Sequence, residues 1–140
     1  SGRGAEHEAP LVLVCDDTGP IRRLLRINLE LAGFRVAEAA DGHAAMARLI
    51  DPEAQRPAVI VLDSQMAPYD GWWAIAAIRS HPRLDPVPVV LLTAAVIAHD
   101  APQASDAGFD AFVAKPFDPD ELIAAVSRLA ERGRGTQSRR

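Results

Sequence analysis

The chain has 140 residues, enough for one domain, and 49% of them are apolar, which supplies a proper core and excludes a disordered chain. A formal net charge of −4 excludes the strongly basic surface of a general nucleic-acid binder, so no direct nucleic-acid partner is expected. No apolar run reaches membrane-spanning length, no signal peptide leads the chain, and the lone Cys15 cannot form an internal disulfide, so a cytoplasmic setting without membrane contact is expected.

Residues 1–9, "SGRGAEHEA", carry no hydrophobic period and are expected to form a loose leader; Ser-Gly in place of Met suggests a cloning scar or an excised fragment. "LVLVC" (11–15) is a short continuous apolar run, the pattern of a strand covered on both faces, with Cys15 as a small buried hydrophobe. "DDTGP" breaks that run, and Pro20 suits the first turn of a helix. Ile21, Leu24, Leu25, Leu31 and Ala32 are expected on its buried face, with Gly33 as the stop.

The cycle then repeats. "FRVAEA" (34–39) predicts a strand, "DGHAAMARLI" (41–50) a helix, and "AVIVLD" (58–63) a second fully buried strand. "WWAIAAIRS" (72–80) predicts a helix, "VPVVLLT" (87–93) a strand, and "FDAFVA" (109–114) a fifth strand. The fourth helix, within 96–107, contains Pro102 and is expected to be short, late-starting or irregular, since an interior proline costs about 3 kcal/mol. The last helix has clear start signals in Asp118, Pro119 and Glu121, and a stripe of Leu122, Ile123, Val126, Leu129 and Ala130. Residues 132–140, "RGRGTQSRR", read as a basic tail with nothing to pack, leaving 10–131 as the folded domain. Five strands alternating with five helices specify an α/β fold: a doubly wound (βα)5 five-stranded parallel sheet.

In such a sheet ligands gather outside the carboxyl ends of the strands. Asp16 and Asp17 end the first strand, Asp63 the third and Thr93 the fourth, while Lys115 follows the fifth. Each alone has a plain reading: Asp16 or Asp17 as a helix cap, Thr93 as a strand end, Lys115 as a solvated charge. Together, three carboxylates on one edge make a hard-oxygen site suited to Mg²⁺. A hydroxyl and an ammonium beside it provide what phosphoryl oxygens need, and one carboxylate can serve as nucleophile to give an acyl phosphate. The adjacent acids then tolerate each other because they face a divalent cation. Lys115 also stands out because the other 14 of the 15 basic residues are Arg, and a compact ammonium does not exchange freely with a planar guanidinium.

From about Ala9 to Arg132 the sequence resembles the response-regulator receiver domain of two-component signalling. The resemblance rests on "LVLVCDDTGPIRRLL", "GFRVAEAADGHAA", "PAVIVLDSQMAPYDGW", "VPVVLLTA" and "GFDAFVAKPFDPDEL", and on the spacings from Asp63 to Thr93 and from Thr93 to Lys115. It implies a flavodoxin-like receiver fold in which Asp63 accepts a phosphoryl group from a sensor histidine kinase or phosphotransfer protein. It implies Mg²⁺ (or Mn²⁺) on Asp17, Asp63 and the backbone carbonyl of Gln65, with Asp16 helping through water. Thr93 and Lys115 would contact the phosphoryl oxygens, the Lys115–Pro116 bond would be cis, and Thr93 with Phe112 would form the switch that reshapes the face of helix 4, strand 5 and helix 5. The implied activity is a regulatory one, limited to self-directed phosphorylation and slow self-dephosphorylation, with a downstream effector protein or domain as output and a homodimer on activation left open.

Four features depart from the family pattern. Met66-Ala67-Pro68 stands where many relatives have Met-Pro; Phe112 lacks a hydroxyl; Pro102 interrupts the fourth helix; and Gln65 and Ala95 occupy positions that tune the lifetime of the phosphorylated state. Trp73 falls off the Ile75–Ile78 core face, either as a binding anchor or as a ring lying against Trp72. His7, His43, His81 and His99 lack metal-ligand spacing and read as surface residues. A pseudo-receiver that acts through protein contacts alone remains the competing function. A flavodoxin-like cofactor binder is rejected, because "CDDTGP" puts two anions where an anionic cofactor must sit.

Overall fold

A computed structural model describes residues 9–94 and 97–134, and the side chains of all of these except residues 97–101. The leader reading for residues 1–8, the tail beyond Arg134, His7, Ala95 and the side chain of His99 lie outside the described residues. Ten elements alternate without exception: β1 Leu11–Cys15, α1 Gly19–Leu31, β2 Arg35–Ala39, α2 Gly42–Ile50, β3 Val59–Asp63, α3 Gly71–Ser80, β4 Val89–Thr93, α4 Ile97–Ala107, β5 Ala111–Ala114 and α5 Pro119–Arg132. The strands form one parallel sheet in the order β2-β1-β3-β4-β5.

The two-residue period of a strand sorts its side chains between two cores. Leu13, Ile60, Leu62 and Leu91 meet Leu49 of α2, Ile75 and Ile78 of α3 and Ala104 of α4. Val12, Val14, Val61, Val90 and Leu92 meet Leu25 and Leu29 of α1 and Leu122, Val126 and Leu129 of α5. Burial on both faces explains why β1, β3 and β4 are continuous apolar runs rather than alternating ones.

Several local expectations are corrected. On α1 the buried pair is Leu25 and Leu29, spaced i, i+4, whereas Leu24 is 46% and Leu31 82% exposed. The helix is rotated so that its second apolar row, through Leu24, Ile27 and Leu31, faces outward. Strand β4 starts after Pro88, which has no N–H for the ladder. Strand β5 starts after Asp110, whose carboxylate Oδ2 accepts the Val89 N–H at 2.9 Å. Helix α4 runs eleven residues straight through Pro102, its sixth position, so that Ala98 is the one carbonyl denied an intrahelical donor by the ring. Asp118 caps α5 by accepting the Asp120 N–H at 2.9 Å.

The segment expected to be a tail with nothing to pack is anchored at its start. Gly133, at φ 67°, adopts the left-handed conformation that suits glycine and turns the chain back. Arg134 then donates from Nε to Asp110 Oδ1 at 3.0 Å, while Arg79 donates from Nη2 to Asp110 Oδ2 at 2.9 Å. The Asp110 side chain is 0% exposed. Burial, reinforced by the charge of Arg134, pulls the Arg79 guanidinium down to about 10 against the opposing pull of Asp110, leaving it charged at neutral pH. Asp110→Ala strips both guanidiniums of their shared partner and is expected to cost about 3–5 kcal/mol by urea unfolding at unchanged m-value. Arg134→Ala leaves Asp110 paired with Arg79, so its loss in the same measurement is expected to be clearly smaller.

Candidate functional site

Strand register, more than any loop, assembles the site. Cys15 pairs with Leu62, so the next residues, Asp16 and Asp63, emerge side by side at the carboxyl edge. Asp63 pairs with Leu92, and Thr93 with Ala114, which places Lys115 one step beyond. The ladder continues past the strands: the Lys115 N–H donates to the Thr93 carbonyl at 2.8 Å, and the Ser64 N–H to the Leu92 carbonyl at 2.8 Å. The Lys115–Pro116 peptide bond is cis, and so is Ala67–Pro68.

Asp16 and Asp63 are buried and Asp17 is exposed, and one carboxylate oxygen from each lies within 4.8 Å of the others. Lys115 Nζ donates to Asp63 Oδ2 at 3.0 Å and stands 3.7 Å from Asp16 Oδ2. Asp63 Oδ1 accepts the Gln65 N–H at 3.2 Å, and Asp16 Oδ1 accepts the Thr18 N–H at 2.8 Å. Asp16 Oδ2 is buried without a hydrogen-bond partner among the described residues.

Burial pushes the Asp16 carboxyl up and the charge of Asp63 adds to it, against the Thr18 N–H and the Lys115 charge. Burial pulls Lys115 down, but its hydrogen bond to Asp63 and the charges of Asp63 and Asp16 outweigh that and raise it overall. Beneath them the Cys15 thiol is pushed up to about 12 by burial and by the charges of Asp41, Asp16 and Asp63, so it stays protonated and inert.

An open cleft of about 550 Å³ lies over this cluster, lined by Asp17, Thr18, Asp63, Gln65, Met66, Ala67, Asp70 and Lys115. The donor set fits a hard divalent cation: three carboxylates face one ammonium, and a buried oxygen of Asp16 is left with a lone pair unused. Asp16 and Thr93, both buried, are not part of the cleft lining. Phe112 is half-buried in β5, packed against the α2–α3–α4 core.

Trp73 does not lie against Trp72. Trp72 packs edge-on to Phe109, with centroids 5.4 Å apart, while Trp73 packs at a tilt against Tyr69, with centroids 4.7 Å apart. Successive residues of α3 point about 100° apart, so one indole enters the core and the other leaves it. Sequence reasoning did not single out Thr18, Asp70, Gly42 or Gly71. The signal for Asp70 and Gly71 was present in "YDGWW", an N-cap residue followed by Gly before an apolar helical run.

The sequence profile of the response regulator receiver domain matches residues 12–127. The DNA-binding dual master transcriptional regulator RpaA of Synechocystis sp. is 36% identical over 123 residues, which cover 88% of this chain and 50% of that protein. The chain thus spans about half the length of the curated relatives it matches. Among solved structures, the receiver domain of the Francisella response regulator 1452 is similar at a TM-score of 0.79 and 32% identity, covering 88% of this chain and 98% of that one. The Mn²⁺-bound form of response regulator Rcp1 is similar at a TM-score of 0.71 and 25% identity, covering 86% of this chain and 91% of that one.

Close packing at the end of β3 gives a direct test. A Cβ on Gly71 would lie 2.4 Å from the Asp63 carbonyl oxygen, whereas one on Gly19 meets nothing within 4 Å. Gly71→Ala is therefore expected to destabilise by about 1–3 kcal/mol in denaturant unfolding. Gly19→Ala, in an open helical position, is expected to be neutral or to stabilise by up to about 1 kcal/mol.

Proposed function

This chain belongs to the response regulator receiver family, and on that premise we propose that it is a phosphorylation-activated switch whose acceptor is Asp63. The observation that carries the reading is the 3.0 Å pairing of the Lys115 ammonium with a strand-end carboxylate at the floor of an open acidic cleft. The donor is a phosphohistidine on a sensor histidine kinase or phosphotransfer protein. An Asp63 carboxylate oxygen forms a bond to phosphorus as the donor's P–N bond breaks. The electron pair of that bond leaves with the imidazole, which is already protonated on its other nitrogen. Water later attacks phosphorus, releasing inorganic phosphate and restoring the carboxylate.

Each side chain has a task in that exchange. Lys115 holds the Asp63 carboxylate in place beforehand and then pairs with a phosphoryl oxygen. Thr93, at the end of the neighbouring strand, offers a hydroxyl to another. Asp17, Asp63 and the Gln65 carbonyl would hold a divalent cation, Mg²⁺ or Mn²⁺, with Asp16 helping through water. When bound, that cation neutralises charge on the phosphoryl oxygens as they crowd against three carboxylates. Thr93 moves towards the phosphoryl group, and Phe112, which lies on the adjacent strand opposite Leu91, turns inward. The outer face of α4, β5 and α5 changes with it, and a downstream effector reads that change. No helix of the described residues is long and apolar enough to cross a membrane.

Two measurements test this reading. Incubation with Mg²⁺ and a small acyl phosphate or phosphoramidate is expected to add one phosphoryl group by intact mass. Chelation of the metal, or Asp63→Asn, is expected to abolish the gain. Equal labelling of Asp63→Asn would falsify the assignment, and no labelling of the wild type would leave a pseudo-receiver that works through protein contacts alone. In thermal unfolding, Mg²⁺ at a hundredfold its Kd is expected to stabilise the native state by about 2.7 kcal/mol, and Asp17→Asn to remove most of that gain.

A further inference from the structure

The loop between β3 and α3 follows the acceptor directly and supplies Gln65, Met66, Ala67 and Asp70 to the cleft lining. Its start is tied down: Met66 is 5% exposed, with its Sδ 3.4 Å from Cys15 Sγ. Its far end is held by a different element, the first turn of α2. The Gly42 N–H donates to the Tyr69 carbonyl at 2.7 Å. A Cβ on Gly42 would lie 2.8 Å from that carbonyl oxygen, 3.0 Å from Trp73 Cε3 and 3.2 Å from the Asp70 carbonyl oxygen. Trp73 thus roofs Gly42 from α3 while its ring packs at a tilt against Tyr69, with centroids 4.7 Å apart, and the Asp70 carboxylate accepts the Trp73 backbone N–H at 2.9 Å. Three elements close around one backbone segment, with no room for a methyl group at their meeting point.

We propose that Gly42, Tyr69 and Trp73 are positioning residues that clamp the far end of this loop and thereby set how tightly the acidic site holds its divalent cation. The inference rests on the metal-dependent reading above. A backbone carbonyl at Gln65 is a useful ligand only if the loop keeps it in place, and holding a ligand to a few tenths of an ångström is the work of packing around it. Trp73 carries no cleft-lining atom and remains 40% exposed. Its contribution therefore runs through Tyr69 and Gly42. An aromatic ring at this helix position, which the core does not require, is accounted for by the loop it pins.

The test is Mg²⁺ titration by isothermal calorimetry on wild type, Gly42→Ala, Trp73→Ala and Trp73→Phe, with Leu49→Ala as control. Leu49 is buried in the same helix as Gly42 and does not line the cleft. Gly42→Ala pushes the loop from beneath and Trp73→Ala releases it from above; each is expected to raise the Mg²⁺ Kd about tenfold. Trp73→Phe, which keeps a ring for Tyr69, is expected to recover most of the affinity. Leu49→Ala is expected to lower the unfolding midpoint and leave the Kd unchanged. Labelling by a small phosphodonor is expected to slow in Gly42→Ala and Trp73→Ala at limiting Mg²⁺ and to recover at saturating Mg²⁺.

Unchanged Mg²⁺ affinity in both Gly42→Ala and Trp73→Ala overturns the proposal, and so does an equal shift in Leu49→Ala. So does a Trp73→Ala defect confined to transfer from a protein donor, which assigns the rings to docking. If wild type shows no saturable Mg²⁺ binding, the metal-dependent reading falls and takes this inference with it. If wild type binds and the variants match it, only the inference falls.

Discussion

Two buried carboxylates, Asp16 and Asp63, share a single ammonium, that of Lys115. Burying one charge costs several kcal/mol before any partner is counted, and burying two of like sign beside each other costs more. The ammonium offsets part of this, because it sits 3.0 Å from one carboxylate and 3.7 Å from the other. A third acid, Asp17, adds to the excess from the exposed side. The remaining imbalance is a standing demand for positive charge at one place on the surface. The rest of the molecule can be read as the framework that keeps these acids from relaxing away from each other.

That framework is mostly backbone. Parallel register fixes Asp16 beside Asp63 and sets Lys115 one residue past the partner of Thr93. No side-chain interaction is needed to bring them together, only ladders between strands whose apolar residues fill both cores. The β3–α3 loop is fixed differently. Gly71 sits against the Asp63 carbonyl and Gly42 against the Tyr69 carbonyl, distances at which any side chain would force the loop outward. Sheet and loop therefore meet at Asp63 with little slack, one through hydrogen bonds and the other through close packing.

Much of this was legible in the sequence, for identifiable reasons. Doubly buried strands appear as unbroken apolar runs, and a polar residue that stops such a run falls at the sheet edge whatever the loop lengths. Asp16, Asp63, Thr93 and Lys115 could be placed on that account. Illegible were features decided by three-dimensional orientation. Helix α1 has two apolar rows, and pattern alone does not say which faces the sheet; the outward one holds Leu24 and Leu31. Nothing in "RGRG" shows that Gly133 turns the chain so that Arg134 reaches Asp110. The ring partner of Trp73 is four residues back in a loop of irregular backbone, where no period applies. Proline in α4 reads as a disturbance of the helix, yet the helix keeps eleven residues with Pro102 at the sixth, the ring removing one backbone hydrogen bond.

The two ends of the sheet use the same chemical groups to opposite effect. At the amino edge one carboxylate, Asp110, is shared by two guanidiniums, and each oxygen accepts from its own arginine. It also accepts a strand N–H, so little of its capacity is left for anything outside the protein. At the carboxyl edge three carboxylates gather beside one ammonium that pairs with two of them, and an Asp16 oxygen has no hydrogen-bond donor among the described residues. Arginine, planar and rigid, suits the closed cluster, where fixed geometry saturates the acid. Lysine suits the open one: a point charge on a flexible stem can shift between oxygen partners, as the proposed phosphoryl transfer would require, without losing its charge. Fourteen of fifteen basic residues are arginine, and the exception stands between the two buried carboxylates of the open cleft.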